Sequence, residues 1–118
     1  MRFLIIDDEL FARTTLKRLL SGRDTEIFEC SNAYDGYVKT EELHPDIVFC
    51  DICMNGIGGD WMVEKILQNI PNTNVIVVSG KPKEELLKYK LIGAKAIITK
   101  PIKFNTLWSE IDAIMSGK

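Results

Sequence analysis

The sequence lacks the features of a membrane or secreted protein. No apolar run among its 118 residues approaches the roughly 20 residues that a membrane-spanning helix needs. Its first residues also lack the charged start and the long apolar stretch of a secretory signal peptide. We therefore expect a cytoplasmic protein with no membrane partner.

The sequence is also poor in cysteine and has no excess of positive charge. Three cysteines, an odd number in a chain long enough to bury a core, do not indicate a disulfide framework, so reduced thiols are expected. Asp and Glu together number 17 against 15 for Lys and Arg, which gives a formal net charge of −2. Direct binding of nucleic acid is therefore not expected.

What the chain does contain is an alternation of two patterns. Short β-branched runs alternate with longer stretches of helical period, and this is typical of βαβ units around a parallel sheet. Five strands and five helices fit the length, and no linker or repeat interrupts them. The strands are predicted at about 2–6, 26–30, 47–50, 75–78 and 96–99. The second is expected at an edge, and the third, apolar without alternation, at the centre of the sheet.

The helices are predicted from their apolar stripes and end signals. We expect them at about 10–20, from Asp35-Gly36 to 43, after the glycine-rich loop 55–59 up to Pro71, after Lys81-Pro82, and at 105–115. In the fourth helix four apolar residues are expected to face inward, namely Leu86, Leu87, Leu91 and Ile92. In the fifth, Asn105 is the expected N-cap.

Polar side chains follow four of the predicted strands. Asp7 and Asp8 come after the first, Asp51 after the third, Ser79 after the fourth and Lys100 after the fifth. In an open α/β sheet the ligand crevice lies beyond the carboxyl ends of the strands. These side chains are therefore expected to converge on one small acidic site.

The chemistry of such a site favours a cation and a phosphoryl group. Two carboxylates about 4 Å apart repel by about 4 kcal/mol at an effective dielectric constant near 20, so Lys100 alone cannot balance three of them. Mg²⁺ could, and would leave room for phosphate oxygens. An ionised aspartate there is a possible nucleophile toward phosphorus. The alternative is that Asp7 and Asp8 are only helix N-terminal acids, and that Ser79 and Lys100 are ordinary strand ends.

Four segments of the chain carry a family resemblance. They are residues 4–9 (LIIDDE), residues 45–54 (PDIVFCDICM), Ser79-Gly80 and Lys100-Pro101. Together they resemble the receiver domain of bacterial two-component response regulators, and the match covers the entire chain. The resemblance implies an α/β, flavodoxin-like, doubly wound (βα)5 fold with a five-stranded parallel sheet in the order 2-1-3-4-5. It also implies that residues 1–118 form a single receiver domain, with no effector domain in this chain.

The same resemblance assigns roles at the acidic site. Asp51 would take a phosphoryl group from the phosphohistidine of a sensor histidine kinase or a histidine phosphotransfer protein. The Mg²⁺ ligands would be Asp8 and Asp51 directly, the backbone carbonyl of Cys53, and Asp7 through water. A domain of this kind catalyses only its own phosphorylation and dephosphorylation, so it is not expected to be an enzyme in the usual sense.

The resemblance also implies a switch. Ser79 would move toward the phosphoryl oxygens, Lys100 would pair with them, and the Lys100-Pro101 bond would be cis. The acyl phosphate would then favour one of two pre-existing loop arrangements and change a partner surface. A homodimer through the fourth helix, fifth strand and fifth helix is a further possibility, whereas the downstream effector is unknown.

Three positions depart from the family pattern. Ile97 stands where the fifth strand usually carries an aromatic switch residue, so a ring flip cannot report the state of Ser79. Asn55 replaces a usual proline, and Gly58 replaces an acidic or polar residue. Because of Ile97, coupling between the site and a partner surface must run through other side chains or be weaker. The five positions that carry the chemistry, Asp7, Asp8, Asp51, Ser79 and Lys100, are nevertheless intact.

Two other functions remain open at this point. One is a Mg²⁺-dependent phosphohydrolase with Asp51 as nucleophile, although Cys53 stands where haloacid-dehalogenase-type enzymes carry a general acid. The other is a phosphorylation-independent interaction module, favoured only if Mg²⁺ fails to bind. Cys50 and Cys53 form a CxxC pattern, but it straddles a strand end. A buried Cys50 and a loop Cys53 are therefore expected rather than a redox pair.

Overall fold

Five strands alternate with five helices in the computed structural model, which describes residues 1–54 and 58–117. The elements are β1 (Arg2–Ile6), α1 (Leu10–Leu20), β2 (Glu26–Cys30), α2 (Ala33–Leu43), β3 (Ile47–Asp51), α3 (Gly59–Asn69), β4 (Val75–Ser79), α4 (Lys83–Leu91), β5 (Ala96–Thr99) and α5 (Phe104–Ser116). The strands form one parallel sheet in the order β2-β1-β3-β4-β5. The predicted α/β fold and strand order are confirmed.

The sheet separates two hydrophobic cores, because successive side chains of a strand point to opposite faces. On one face, Leu4 and Val48 belong to a cluster with residues of α2, α3 and α4. On the other face, Phe3 and Phe49 pack with residues of α1 and α5. Strands β1, β3 and β4 are thus covered on both faces, which explains their unbroken apolar runs. Strand β2 lies at one edge, as predicted.

Two helices begin earlier than their predicted starts. Helix α2 begins at Ala33, because the side chain of Asn32 accepts a hydrogen bond at 2.8 Å from the backbone N–H of Asp35 and so caps the helix. Helix α5 begins at Phe104, which places Asn105 in its first turn. The prediction of Asn105 as an N-cap is therefore wrong. The buried residues of α5 are Leu107, Trp108 and Ile111.

The inward face predicted for α4 is wrong in part. Leu86 is buried, but Leu87, Leu91 and Ile92 are 49%, 88% and 47% exposed. The second buried residue of α4 is Tyr89, three positions after Leu86. At about 100° per residue, Leu87 and Leu91 lie at least about 100° around the helix from Leu86. The apolar residues of α4 therefore form two stripes, and only one of them meets the sheet.

The segment before α3 brings two backbones into close approach. A Cβ atom on Gly59, the first residue of α3, would overlap the carbonyl oxygen of Asp51 and lie 2.6 Å from the Cα atom of Ile52. The absence of a side chain at Gly59 thus allows α3 to start against the end of β3. Residues 55–57, including the position where Asn55 replaces a proline, lie outside the described residues.

The described helices are short, with 9 to 13 residues each. Across residues 1–54 and 58–117, no helix is both long enough and apolar enough to span a membrane. The longest, α5, has 13 residues.

Candidate functional site

Three aspartates come together at the carboxyl ends of β1 and β3. Ile6 pairs with Cys50 across the two strands, so the residues that follow are neighbours. Carboxylate oxygens of Asp7, Asp8 and Asp51 all lie within 4.8 Å of one another. Asp7 and Asp51 are buried, and Asp8 is half-buried. The structure therefore brings together the acidic residues that the strand ends predicted.

A lysine ammonium group lies against two of these carboxylates. Nζ of Lys100 is 3.1 Å from Oδ2 of Asp7 and 3.6 Å from Oδ2 of Asp51. Burial opposes the charge on Lys100, but the carboxylates of Asp51 and Asp7 raise its pKa above the usual value, so it stays protonated. The Lys100-Pro101 peptide bond is cis.

Asp51 is harder to ionise than an ordinary aspartate. Burial, together with the nearby charge of Asp7, raises the pKa of Asp51 to about 6. The hydrogen bond that its Oδ1 accepts from the backbone N–H of Cys53 at 3.0 Å acts in the opposite direction, as does Lys100. A further cation at this position would therefore favour the ionised, nucleophilic form.

Ser79 ends β4 on the far side of the site and is fully buried. Its hydroxyl accepts a hydrogen bond from the backbone N–H of Lys81 at 3.1 Å, and its oxygen lies 3.7 Å from Sγ of Cys53. Its carbonyl accepts a hydrogen bond from the backbone N–H of Lys100 at 2.8 Å. The loops after β3, β4 and β5 therefore meet at this one residue.

The acidic cluster has the donor set and spacing that a hard divalent cation requires. Mg²⁺ binds oxygen at about 2.1 Å, so two ligands of one octahedron lie about 3 to 4 Å apart. Three carboxylates with oxygens within 4.8 Å of one another are close to that spacing, and a water ligand can span the remainder. The residues present thus fit a magnesium ion that retains several waters.

Sequence reasoning missed two contacts at this site. The guanidinium of Arg13 donates to the backbone carbonyl of Asp7 at 2.8 Å and to the carboxylate of Glu29 on β2 at 3.2 Å, which anchors the end of β1. The side chain of Cys53 reaches Ser79, whereas the sequence pointed only to the backbone carbonyl of Cys53. The position of Arg13 in the first turn of α1, shortly after Asp7 and Asp8, could have indicated its contact. No sequence pattern around Cys53 indicates the contact between its thiol and Ser79.

Two of the positions that depart from the family pattern lie within the described residues. Ile97 is buried in the core between the sheet and α4, in the same cluster as Tyr89. Gly58 is half-buried and precedes α3. Cys50 is fully buried and Cys53 is exposed, and burial raises the pKa of the Cys50 thiol. The expected positions of the two thiols are therefore confirmed.

Comparisons with known proteins agree with this geometry. A family model described as the response regulator receiver domain matches residues 3–112. Among curated proteins, the chemotaxis protein CheY of Treponema pallidum is 31% identical over 118 residues, which cover 97% of this chain and 82% of that protein. The chemotaxis protein CheY of Thermotoga maritima is 34% identical over 104 residues, which cover 86% of this chain and 87% of that protein.

Solved structures show the same similarity. The structure of the CheX-CheY-BeF3-Mg²⁺ complex from Borrelia burgdorferi matches with a TM-score of 0.91 and 25% identity, over 98% of this chain and 89% of that one. A LuxR-family two-component response regulator from Aurantimonas sp. SI85-9A1 matches with a TM-score of 0.89 and 27% identity, over 99% of this chain and 86% of that one.

Proposed function

This chain belongs to the response regulator receiver domains of two-component signalling, and from that membership we propose that it is a phosphoacceptor switch with Asp51 as the phosphorylated residue. Receiver domains are signalling domains rather than classical enzymes. The phosphodonor in this proposal is the phosphohistidine of a sensor histidine kinase or of a histidine phosphotransfer protein. The observation that carries the proposal is the grouping of three carboxylates beside the Lys100 ammonium.

The proposed metal is Mg²⁺. Asp8, Asp51 and the backbone carbonyl of Cys53 would hold it directly, and Asp7 would hold it through water. When bound, Mg²⁺ supplies positive charge that neutralises both the carboxylates and the oxygens of an incoming phosphoryl group. The raised pKa of Asp51 supports this assignment, because the carboxylate is costly to ionise without such a cation.

The proposed transfer uses three side chains of the chain itself. A carboxylate oxygen of Asp51 attacks phosphorus, the bond between phosphorus and the donor imidazole nitrogen breaks, and the imidazole leaves. Lys100 balances charge on the phosphoryl oxygens, and its contact with Asp51 at 3.6 Å supports that role. Ser79 then donates its hydroxyl to a phosphoryl oxygen. This requires Ser79 to leave its present contact with Lys81.

An apolar cavity beside the site supports docking of a protein phosphodonor. It has a volume of about 280 Å³ and lies between the first turns of α1 and the Lys100-Pro101 bond. Phe11, which is 82% exposed, and Ile102 are among the residues that line it. A partner helix that covers Phe11 would bring its histidine to the Asp51 site. Exposed rings of this kind commonly anchor protein interfaces.

Another exposed surface supports the proposed output. Leu87 and Leu91 project from α4 into solvent, and Phe104 at the start of α5 is half exposed. These residues support a homodimer or partner contact through α4, β5 and α5. Because α4 follows Ser79 by only a few residues, a displacement of Ser79 would reach this surface.

Labelling with acetyl phosphate and Mg²⁺, followed by intact-mass measurement, tests the proposal. The wild-type protein should gain one phosphoryl group, and Asp51→Asn should gain none. The matched control is Asp112→Asn, which should label normally. Asp112 is an exposed aspartate on α5 that pairs with Arg23. Removal of Mg²⁺ with EDTA should abolish labelling.

The same experiment separates the alternatives. Equal labelling of Asp51→Asn and wild type would overturn the proposal. Sustained turnover of a phosphoester would support a phosphohydrolase instead. A protein that binds neither Mg²⁺ nor a phosphoryl group would be a phosphorylation-independent interaction module.

A further inference from the structure

A hydrogen bond joins α3 to α4 near the site. The hydroxyl of Tyr89 on α4 donates to Oδ1 of Asp60, the second residue of α3. Tyr89 is 3% exposed, whereas Asp60 lies at the surface. The bond therefore runs from the core under α4 to the first turn of α3.

The α3 end of this bond is in direct contact with the phosphoacceptor backbone. Gly59 packs so closely on Asp51 and Ile52 that a Cβ atom there would overlap the Asp51 carbonyl oxygen. Asp60 is the next residue. A shift of the backbone at Asp51 would thus also move Asp60, because close-packed backbones transmit displacement.

The α4 end is fixed by burial. Tyr89 belongs to the same core cluster as Leu86, Ala94 and Ile97, and its backbone carbonyl accepts a hydrogen bond at 2.9 Å from the N–H of Ala94. Burial, followed by the bond to Asp60, raises the pKa of Tyr89, so its hydroxyl remains a donor. Movement of the ring therefore requires movement of α4.

Strand β5 carries no aromatic ring that could couple Asp51 to α4, because Ile97 occupies the position that faces α4. We propose that the Tyr89–Asp60 hydrogen bond is the link through which a phosphoryl group on Asp51 repositions α4. The inference rests on the proposed function, since it requires Asp51 to be modified. The path runs from Asp51 to Gly59, through Asp60 to Tyr89, and ends at the exposed stripe of Leu87 and Leu91.

Beryllofluoride with Mg²⁺ mimics a phosphoryl group on a carboxylate, and NMR of backbone amides can follow its effect in two places. In the wild type, amides at residues 7, 8 and 52–54 and amides along α4 should both shift. In Tyr89→Phe, which removes only the hydroxyl, the site shifts should persist. The α4 shifts, with residue 89 itself left out, should fall to half or less.

Two companion variants complete the design. Asp60→Ala removes the acceptor from the protein surface and should cause the same loss as Tyr89→Phe, and the double variant should lose no more than either one. Tyr37→Phe is the matched control, because the Tyr37 hydroxyl accepts a hydrogen bond from Asn69 at the other end of α3. Its α4 shifts should equal those of the wild type.

The outcomes distinguish the two proposals. Wild-type protein with no shifts at the site would refute the proposed function and, with it, the link. Normal site shifts with equal α4 shifts in wild type and in both Tyr89→Phe and Asp60→Ala would refute the link alone. Site shifts without any α4 response in the wild type would also refute it.

Discussion

The Lys100 ammonium group lies closer to Asp7 than to Asp51, with its Nζ 3.1 Å from Oδ2 of the first and 3.6 Å from Oδ2 of the second. The ammonium group therefore donates a hydrogen bond to the residue that is not the proposed nucleophile. Oδ2 of Asp51 lies farther from the ammonium group, and Asp51 is buried, which makes its ionised form unfavourable.

Replacement of Asp51 should stabilise the metal-free fold at neutral pH. Burial raises the folded pKa of Asp51 to about 6 from an ordinary value near 4. A group with a raised folded pKa contributes stability that is complete below its unfolded pKa and is lost as pH rises through its folded pKa. At pH 7.5, Asp51→Asn should therefore be more stable than wild type by about 1 to 3 kcal/mol.

Urea unfolding in EDTA at pH 7.5, 6, 5 and 4 measures this effect. The advantage of Asp51→Asn should shrink steadily below pH 6, as wild-type Asp51 takes up its proton. Asp112→Asn should stay within about 0.5 kcal/mol of wild type at each pH, as is usual for surface changes. A constant difference between Asp51→Asn and wild type across the series would contradict the raised pKa.

Loss of the Lys100 charge should weaken the fold and strengthen metal binding. In Lys100→Met, Asp7 and Asp51 lose their shared cation, which should cost about 1 to 3 kcal/mol in EDTA. The affinity for Mg²⁺ should rise, because no ammonium group competes for the carboxylates. Urea unfolding and Mg²⁺ titration check both effects. The exposed Lys103→Met is the control, and a lower Mg²⁺ affinity in Lys100→Met would contradict this account.

Two adjacent glycines should respond very differently to alanine. In Gly59→Ala the new Cβ would meet the backbone of Asp51 and Ile52, so the variant should lose about 2 kcal/mol or more and label more slowly. At Gly58 the nearest atom to an added Cβ, within the described residues, is the Asp60 nitrogen at 3.8 Å. Gly58→Ala should therefore stay within about 0.5 kcal/mol of wild type in urea.

One thiol should react selectively and block the site. Among the three cysteines, all within the described residues, Cys53 alone is exposed, while Cys30 and Cys50 are buried. Iodoacetamide should thus add one group to the native protein, at Cys53 by peptide mapping. Since Sγ lies 3.7 Å from the Ser79 hydroxyl, the alkylated protein should label at least about tenfold more slowly with acetyl phosphate. Cys53→Ala should be insensitive to iodoacetamide.

Phe11 should matter for a protein phosphodonor but not for a small one. Phe11→Ala removes an exposed ring from the cavity beside Lys100. Transfer from a phosphorylated histidine phosphotransfer domain that labels the wild type should slow by about tenfold, equivalent to about 1.4 kcal/mol. Labelling by acetyl phosphate should be unchanged. Tyr34→Ala, which removes an exposed ring from α2, should slow neither reaction.

Much of this fold could be predicted because its signals are local. Apolar runs and turn residues placed β1, β2, β5 and α1 at their observed bounds. Strands β3 and β4 each extend one residue further than predicted, to Asp51 and Ser79. Those polar residues are buried in the strands, and a pattern of apolar residues alone cannot show that a polar side chain continues the strand.

Other features depended on single contacts that the sequence does not encode by periodicity. The start of α2 is set by a hydrogen bond from the backbone N–H of Asp35 to the side chain of Asn32. The orientation of α4 is set by which of two apolar stripes meets the sheet. Leu86 and Tyr89 are buried, whereas Leu91, which was expected to face inward, is exposed. Packing against the rest of the molecule decides which face of α4 is buried, so the sequence of α4 alone could not predict it.

The sequence by itself determined where the strands and helices lie along the chain and which polar residues follow the strands. Strand and helix periodicity, and the positions of Asp7, Asp51 and Lys100 in the chain, are local properties. Only the tertiary structure decided the distances and neighbours on which the chemistry depends. The unequal sharing of Lys100, the thiol of Cys53 beside Ser79, and the bond from Tyr89 to Asp60 each join residues far apart in the chain. They exist because packing of the whole domain brings those side chains together.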